Sequence, residues 1–294
     1  MISKLRTAPV LLLLACIGLS APAHAQATFE RIKSRSQISV GYREDAAPFS
    51  YLDDQKKAIG YSIDFCAAVV AQLANRLDLK NLRINMVPIA IDRVMTFVRD
   101  GSVDLLCTGT SDTPERRALA SFSKPIYFDG VGVMVRKKDG VHSLKQLDGK
   151  QVSFIKASTA GSALDAYRAK AAISWKAEPG LNADAAFSQL QLGWVQAYAR
   201  DKVLLAMQLA SLSDADQYLI LPERLSTEAI AIAFRKDDGE MQALVDGVIA
   251  ELAVSGKARA LHDKWFVGPI PLYKQRKALG IPMSPELKAS LETK

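Results

Sequence analysis

The chain has 294 residues, enough to bury a large core and to divide into two lobes. Hydrophobic residues make up 49% and charged residues 23%, the ordinary balance of a soluble protein. The formal charge of +7 is mild and unclustered, and no DNA- or RNA-binding motif accompanies it. No nucleic-acid partner is expected, and the basic excess is read as serving solubility or an anionic ligand.

Lys4 and Arg6 precede an apolar run from Ala8 to Leu19, and the small-residue pattern Ala23-His24-Ala25 follows. This predicts a signal peptide over 1–25, a mature chain that starts at Gln26, and soluble export to the periplasm. The run is shorter than the roughly 20 apolar residues of a membrane span. Leu13-Leu14-Ala15-Cys16 is similar to a lipoprotein processing site and marks the competing fate, lipidation at Cys16. Cys66 and Cys107 remain after the leader, and in an oxidising space both a disulfide and a pair of buried thiols are open. Of the histidines, only His142 and His262 remain, and no Cys–His spacing supports a zinc site.

Gln37 to Gly41 reads as a short strand, with Tyr42 and Arg43 at its end and a loop around Pro48 beyond. A second strand is expected from Phe49 to Leu52. Helical spacing then places Ile63, Cys66, Ala67, Val70, Leu73, Ala74 and Leu77 on one face. Leu82 to Pro88 is a strand. Asp92 is expected to cap the next helix, with Val94, Phe97 and Val98 inward and Gly101 as its stop. Val103 to Cys107 is a buried strand that runs into Thr108-Gly109-Thr110-Ser111. A helix start follows: Thr113 caps, Pro114 suits the first position, and Glu115 complements the helix dipole. Arg116 and Arg117 oppose that dipole by up to about 1 kcal/mol each. An anion held there would justify at least one of them, and two solvated arginines are the equal alternative.

Asp129 to Val135 is apolar and β-rich, Val152 to Ile155 is a strand, Lys156 to Gly161 a loop and Ser162 to Ala169 a helix. Asn182 to Leu192 is helical and stopped by Gly193. Trp194 to Tyr198 is a strand that ends at Arg200-Asp201. Val203 to Leu212 is helical, Ile230 to Phe234 is a strand, and Glu240 to Trp265 holds the final long helices. Strands alternate with helices, so the fold class is α/β with sheets covered on both faces. Two such series imply a discontinuous first lobe, 26–128 plus 230–294, with a second lobe, 129–229, inserted in it.

Open α/β sheets bind ligands at the carboxyl ends of their strands. Those ends carry Arg43, the loop around Gly109 with Thr110 and Ser111, the loop with Ser158 and Thr159, and Asp201, with Arg116 close behind. Donors for a carboxylate together with an acceptor for an ammonium suit a zwitterion. Arg43 and Arg93 would leave a second cationic site for another carboxylate. Turn or cap chemistry competes at each loop hydroxyl, and a helix N-cap competes at Asp201. There is no GxSxG, no Gly-rich phosphate loop and no carboxylate pair to support hydrolytic chemistry. No cofactor is expected.

At these residues the chain resembles the periplasmic solute-binding proteins of polar amino-acid ABC transporters. Gly60 to Leu73, GYSIDFCAAVVAQL, is similar to the family signature, with Ser62 where an acidic residue is commonest. Glu115-Arg116 with Phe122-Ser123-Lys124-Pro125 is similar to its ligand-carboxylate segment. Gly41 to Tyr51, the Arg200-Asp201-Lys202-Val203-Leu204-Leu205 run and the tail from Pro269 to Ala289 resemble the glutamate/aspartate subgroup. The resemblance implies a two-lobed type II periplasmic-binding-protein fold, mixed sheets flanked by helices, and a hinge of two segments, Ile126 to Gly130 and Ser226 to Ile230. It implies an amino-acid ligand, a monomer, and a membrane permease as partner. Arg116 would pair with the α-carboxylate, helped by Ser111 and Thr159. Asp201 would accept from the α-ammonium, and Arg43 and Arg93 would face the side-chain carboxylate. Gly109 stands where a serine is usual, Ala90 where a serine or similar polar residue is usual and Ala183 where a histidine is usual, and the two alanines would leave space for a larger or differently shaped anionic side chain. The competing readings are an exported cyclohexadienyl dehydratase on the same fold and a sensor that presents its ligand to a receptor.

Overall fold

The computed structural model describes residues 27–272 and 275–292. The signal peptide expected over 1–25, Cys16 included, lies outside the described residues. The chain opens on α1 (Thr28–Arg35), then β1 (Gln37–Tyr42) and three short strands, β2 (Asp45–Ala46), β3 (Ser50–Leu52) and β4 (Ala58–Ile59). It continues with α2 (Tyr61–Arg76), β5 (Arg83–Pro88), α3 (Val94–Arg99), β6 (Leu105–Ser111), α4 (Pro114–Arg117), β7 (Ala120–Phe122), β8 (Tyr127–Asp129) and β9 (Val131–Arg136). Next come β10 (Gln151–Ile155), α5 (Ala160–Ala171), β11 (Lys176–Gly180), α6 (Ala183–Gln191), β12 (Ala197–Asp201), α7 (Lys202–Ser211) and β13 (Tyr218–Ile220). The chain closes with β14 (Glu228–Arg235), α8 (Gly239–Val254), α9 (Lys257–His262), the hairpin β15 (Pro269–Leu272) and β16 (Gln275–Ala278), and α10 (Pro285–Glu292).

Two sheets organise these elements. The first runs β5-β1-β6-β14-β7, with β8 also paired to β14. β1 is parallel to β5 and β6, and β14 is antiparallel to its neighbours. The second runs β11-β10-β12-β9-β13, parallel at β11, β10 and β12 and antiparallel around β9. β14 is the late strand that returns to the first sheet, where it lies between β6 and the short edge strands β7 and β8. Only two stretches join the sheets, Gly130 between β8 and β9 and the run from β13 to β14. At Gly130 the two crossing stretches touch backbone to backbone, and a Cβ there would land on the Ser226 carbonyl oxygen.

Several elements differ from the sequence reading. In α2 the buried face is Ser62, Phe65, Cys66, Val69, Val70 and Leu73, while Ala67 is exposed and Ile63 half-buried. The helix turns its aromatic Phe65 inward because Tyr61, Phe49, Tyr127 and Phe266 form an edge-on aromatic cluster beneath it. Asp92 does not cap α3. It lies in a 3-10 turn, Ile91–Arg93, and no side chain caps the helix. Residues 108–111 belong to β6 rather than to a loop. The register against β14 shifts between Ala231 and Ala233, so the strand continues past an irregularity at Gly109, which has φ +71°. β12 starts three residues later than expected and includes Arg200 and Asp201, while Trp194 is exposed.

Cys66 and Cys107 are joined, with Cα atoms 6.3 Å apart, and the bond ties α2 to β6. It closes a loop of 41 residues, for which the chain-entropy model gives a stabilisation of about 4 kcal/mol. Replacing both cysteines with alanine lowers the free energy of unfolding by about that amount, read by urea titration. Gly130→Ala overpacks the crossing and costs about 1–3 kcal/mol in the same measurement, whereas Gly247→Ala, inside α8 with open space around it, carries no such cost.

Candidate functional site

Residues at the carboxyl ends of β1, β6, β10 and β12 gather into one cluster of charged and hydroxyl groups. Arg43 follows β1 and is buried. Its Nε and Nη2 donate to the Asp45 carboxylate, and its backbone is clamped by Ser50, whose Oγ accepts from the Arg43 N–H and donates to the Arg43 carbonyl. Arg116 comes from the single-turn helix α4. Thr113 accepts the Arg116 N–H at 3.3 Å and Pro114 takes the first position, as the sequence predicts. The two arginines of this turn part company. Arg117 points to solvent and makes a two-pronged pair with Asp112, while Arg116 turns inward and donates through Nη1 to the Ser111 carbonyl at 2.9 Å. Burial lowers the pKa of Arg116 and of Arg43, since each charge is drawn out of water.

Asp201 closes β12 opposite these arginines. Its position before α7 makes it the natural N-cap, yet its side chain caps nothing. Asp129, at the end of β8, takes that role and accepts the Val203 N–H at 2.9 Å. Asp201 Oδ1 is left buried without a partner. Burial and the nearby Glu228 push the Asp201 pKa up to about 6, against the opposing pull of Arg200, Arg116 and Arg43. Asp129 is pushed up to about 7, mainly by burial and then by Asp201.

The other predicted residues divide. Ser111 and Thr110 are buried in β6, and the Thr110 hydroxyl is 2.6 Å from that of Thr108. Gly109 packs so closely on Phe49 that a Cβ would meet the ring base at 2.7 Å, so the serine usual in the resembling family has no room here. Ser158 is engaged in its own turn, donating to the Ile155 carbonyl and accepting the Ala160 N–H. Thr159 donates to Glu228 Oε2 at 2.9 Å, so in this arrangement its proton is not offered to a carboxylate in the cleft. Arg93 is a correction: it is exposed, lies 5.6 Å from the centre of the Phe97 ring and does not join the cluster around Asp201. The 3-10 turn that replaces the expected helix start directs it outward.

Three residues went unassigned in the sequence. Glu228 receives the hydroxyls of Ser226 and Thr159, a link between the late crossing strand and the loop after β10. Asp129 caps α7 from across the crossing. Arg200 is buried on β12, and its Nη2 donates to the Asp45 carbonyl at 3.0 Å. No periodicity or turn signal marks Glu228 or Asp129, whose partners lie 69 and 74 residues away. Arg200, beside Asp201, was the legible one. A cleft of about 860 Å³ opens beside this cluster, lined from one side by Asp45, Ala90 and Asp92 and from the other by Lys156 and Ala183. The set is a receptor for opposite charges: guanidinium groups for an anion, and an unpaired carboxylate for a cation.

The family model for bacterial extracellular solute-binding proteins, family 3, matches residues 38–268. A glutamate/aspartate import solute-binding protein of Escherichia coli (strain K12) is 30% identical over 270 residues, covering 92% of this chain and 88% of its own. An L-glutamate/L-aspartate-binding protein of Pseudomonas aeruginosa is 30% identical over 290 residues, covering 97% and 95%. Among solved structures, an ancestral arginine-binding protein bound to arginine is 26% identical with a TM-score of 0.69, covering 79% of this chain and 99% of that one. These relatives carry the names of solute-binding proteins rather than enzymes. The architecture is the two-lobed periplasmic-binding-protein fold, and the chain belongs to the bacterial extracellular solute-binding proteins of family 3.

Proposed function

We propose that this protein is the periplasmic substrate-binding component of an amino-acid ABC transporter. It takes an acidic amino acid of the glutamate/aspartate type between two closing lobes, 26–128 plus 230–294 and 129–229, and delivers it to a membrane permease. Arg116 pairs with the α-carboxylate, the Ser111 region of β6 supports it, and Asp201 accepts from the α-ammonium. The observation that carries this reading is Asp201 Oδ1, buried and unpartnered while Arg116 and Arg43 face it. A buried carboxylate is stable only when paired or hydrogen-bonded, and an ammonium supplies what is missing. The relatives from Escherichia coli and Pseudomonas aeruginosa support the acidic ligand. Closure is hinge motion about the two crossing stretches, and the narrow contact at Gly130 leaves few groups to rearrange.

Arg116→Ala and Asp201→Asn each orphan one charge of the pair. At about 3–5 kcal/mol for such a loss, both weaken the amino acid by at least about 100-fold in titration calorimetry. Arg117→Ala, on the solvated side of the same turn, leaves affinity unchanged. Wild-type affinity in Arg116→Ala removes the assignment.

Acidity acts in two directions. Asp129 and Asp201, raised above the ordinary carboxylate value to about 7 and about 6, disfavour the unliganded fold when ionised. That cost is complete above pH 7 and is relieved as the pH falls through these values. From these two groups, the unliganded protein gains thermal stability between pH 8 and pH 5. Ligand binding needs ionised Asp201, so affinity holds above pH 7 and then falls towards about tenfold per unit below pH 6. Calorimetry at pH 8, 7, 6 and 5 reads this, and a flat profile counts against Asp201 as the ammonium acceptor.

A further inference from the structure

The amino-acid grip described above leaves one buried cation without a role. Three arginines are buried among the described residues, Arg43, Arg136 and Arg200. Arg43 pairs with Asp45 and Arg136 with Asp139. Arg200 is 5% exposed and makes no ion pair among the described residues. Its Nη2 donates to the Asp45 carbonyl, its Nη1 makes a long 3.5 Å contact with Gln208 Oε1, and its Nε is buried with no partner. A guanidinium presents five N–H groups. An interior charge with donors left over is destabilising until an anion meets it.

Arg200 also stands where a ligand can reach it. It precedes Asp201 on β12, and its charge acts on both Asp201 and Arg43. It lines a second cavity of about 280 Å³, walled by Phe187, Leu204 and Met207. Asp45 and Ala183 line both this cavity and the larger cleft, so the two spaces meet at these residues. Ala183, the first residue of α6, is small enough to leave that passage open. One water accounts for about 30 Å³ of liquid, so the second cavity has room for an extended side chain. Its acidic members, Asp45 and Asp184, are exposed, and Asp45 is already paired with Arg43, whereas its cation Arg200 is buried.

We propose that Arg200 is the specificity-determining residue of this site. With Arg43 it receives a terminal anion on the ligand's side chain, and the space past Ala183 admits side chains of glutamate length and longer. The favoured class is therefore amino acids with an anionic group well removed from the α-carbon, ahead of aspartate. This rests on the amino-acid reading given above. Arg43 is already held by Asp45, so Arg200 supplies the unengaged donors, and charge-assisted pairs of this kind carry both strength and direction.

The test is titration calorimetry on the protein refolded to remove bound ligand, with L-aspartate, L-glutamate, L-2-aminoadipate and L-glutamine. Circular dichroism verifies the fold of each variant. Wild type is expected to bind glutamate and 2-aminoadipate more tightly than aspartate. Arg200→Met is expected to cut the preference for glutamate over glutamine by more than about tenfold, the effect of one charge-assisted contact. Arg200→Lys keeps part of that preference. Ala183→Leu, which fills the passage without touching a charge, weakens 2-aminoadipate more than aspartate. Equal losses for glutamate and glutamine in Arg200→Met and Arg200→Lys overturn the proposal and leave the amino-acid reading standing. So does a wild type that prefers aspartate and is indifferent to Ala183→Leu. A folded wild type that binds none of the four ligands removes both readings.

Discussion

The N-terminus of α7 needs one carboxylate, and two compete for it. Asp201 holds the usual capping position, and Asp129 reaches the same N–H groups from the crossing strand β8. Asp129 takes the bond to Val203. The helix start is satisfied, and Asp201 is released to face the arginines on the far side of the cleft. The buried, unpartnered oxygen of Asp201 is the result of this exchange. A carboxylate bound to its own helix would have spent part of its acceptor capacity there, whereas Asp201 keeps one buried oxygen unpaired. The same bond couples α7 to the crossing stretch, so the residue that frees Asp201 also lies where the chain passes from one sheet to the other.

A second layer of organisation lies beneath the cleft. Phe49 sits at the centre of an aromatic cluster with Tyr61, Tyr127 and Phe266, and its ring base closes on Gly109. Tyr61 donates through its hydroxyl to the Ile126 carbonyl, and Tyr127 stacks on Phe266. Gly109 of β6, the crossing stretch at Ile126 and the segment that carries Phe266 are therefore one packed body. Edge-on and offset ring contacts fix relative orientation as well as burying area. The positive φ of Gly109 and its lack of a side chain are what allow β6 to pass over that floor.

Much of this was legible in the sequence. Thr113, Pro114 and the arginine pair marked the helix start, and the structure explains why two arginines occur there: one is tied to Asp112 at the surface and one turns to the cleft. Arg43, Ser111 and Asp201 were legible as polar residues that follow predicted strands. What escaped was what depends on distant partners. Asp129 and Glu228 looked like ordinary strand residues because their roles are set by Val203 and Thr159, brought near only by the fold. Arg93 misled because it was set beside Arg43 as a second cationic site, whereas a 3-10 turn leaves it exposed. The shift of the buried face in α2 has a similar cause, since the aromatic cluster, rather than the aliphatic stripe, decides which side faces in.

The position of β14 carries a consequence for biogenesis. The second sheet is built from strands that lie between residues 131 and 220, an unbroken piece of chain. The first sheet is incomplete until residues 228–235 slide between β6 and β7. A chain that emerges amino terminus first on the far side of a membrane can therefore finish the inserted half before the half that encloses it. Until then β6 presents an open edge, which is the kind of surface that recruits unwanted strands. The Cys66–Cys107 bond joins two segments that both emerge early, so it can pin β6 to α2 while that edge waits for its neighbour. The bond then acts as a chaperone built into the chain as well as a staple of the finished protein.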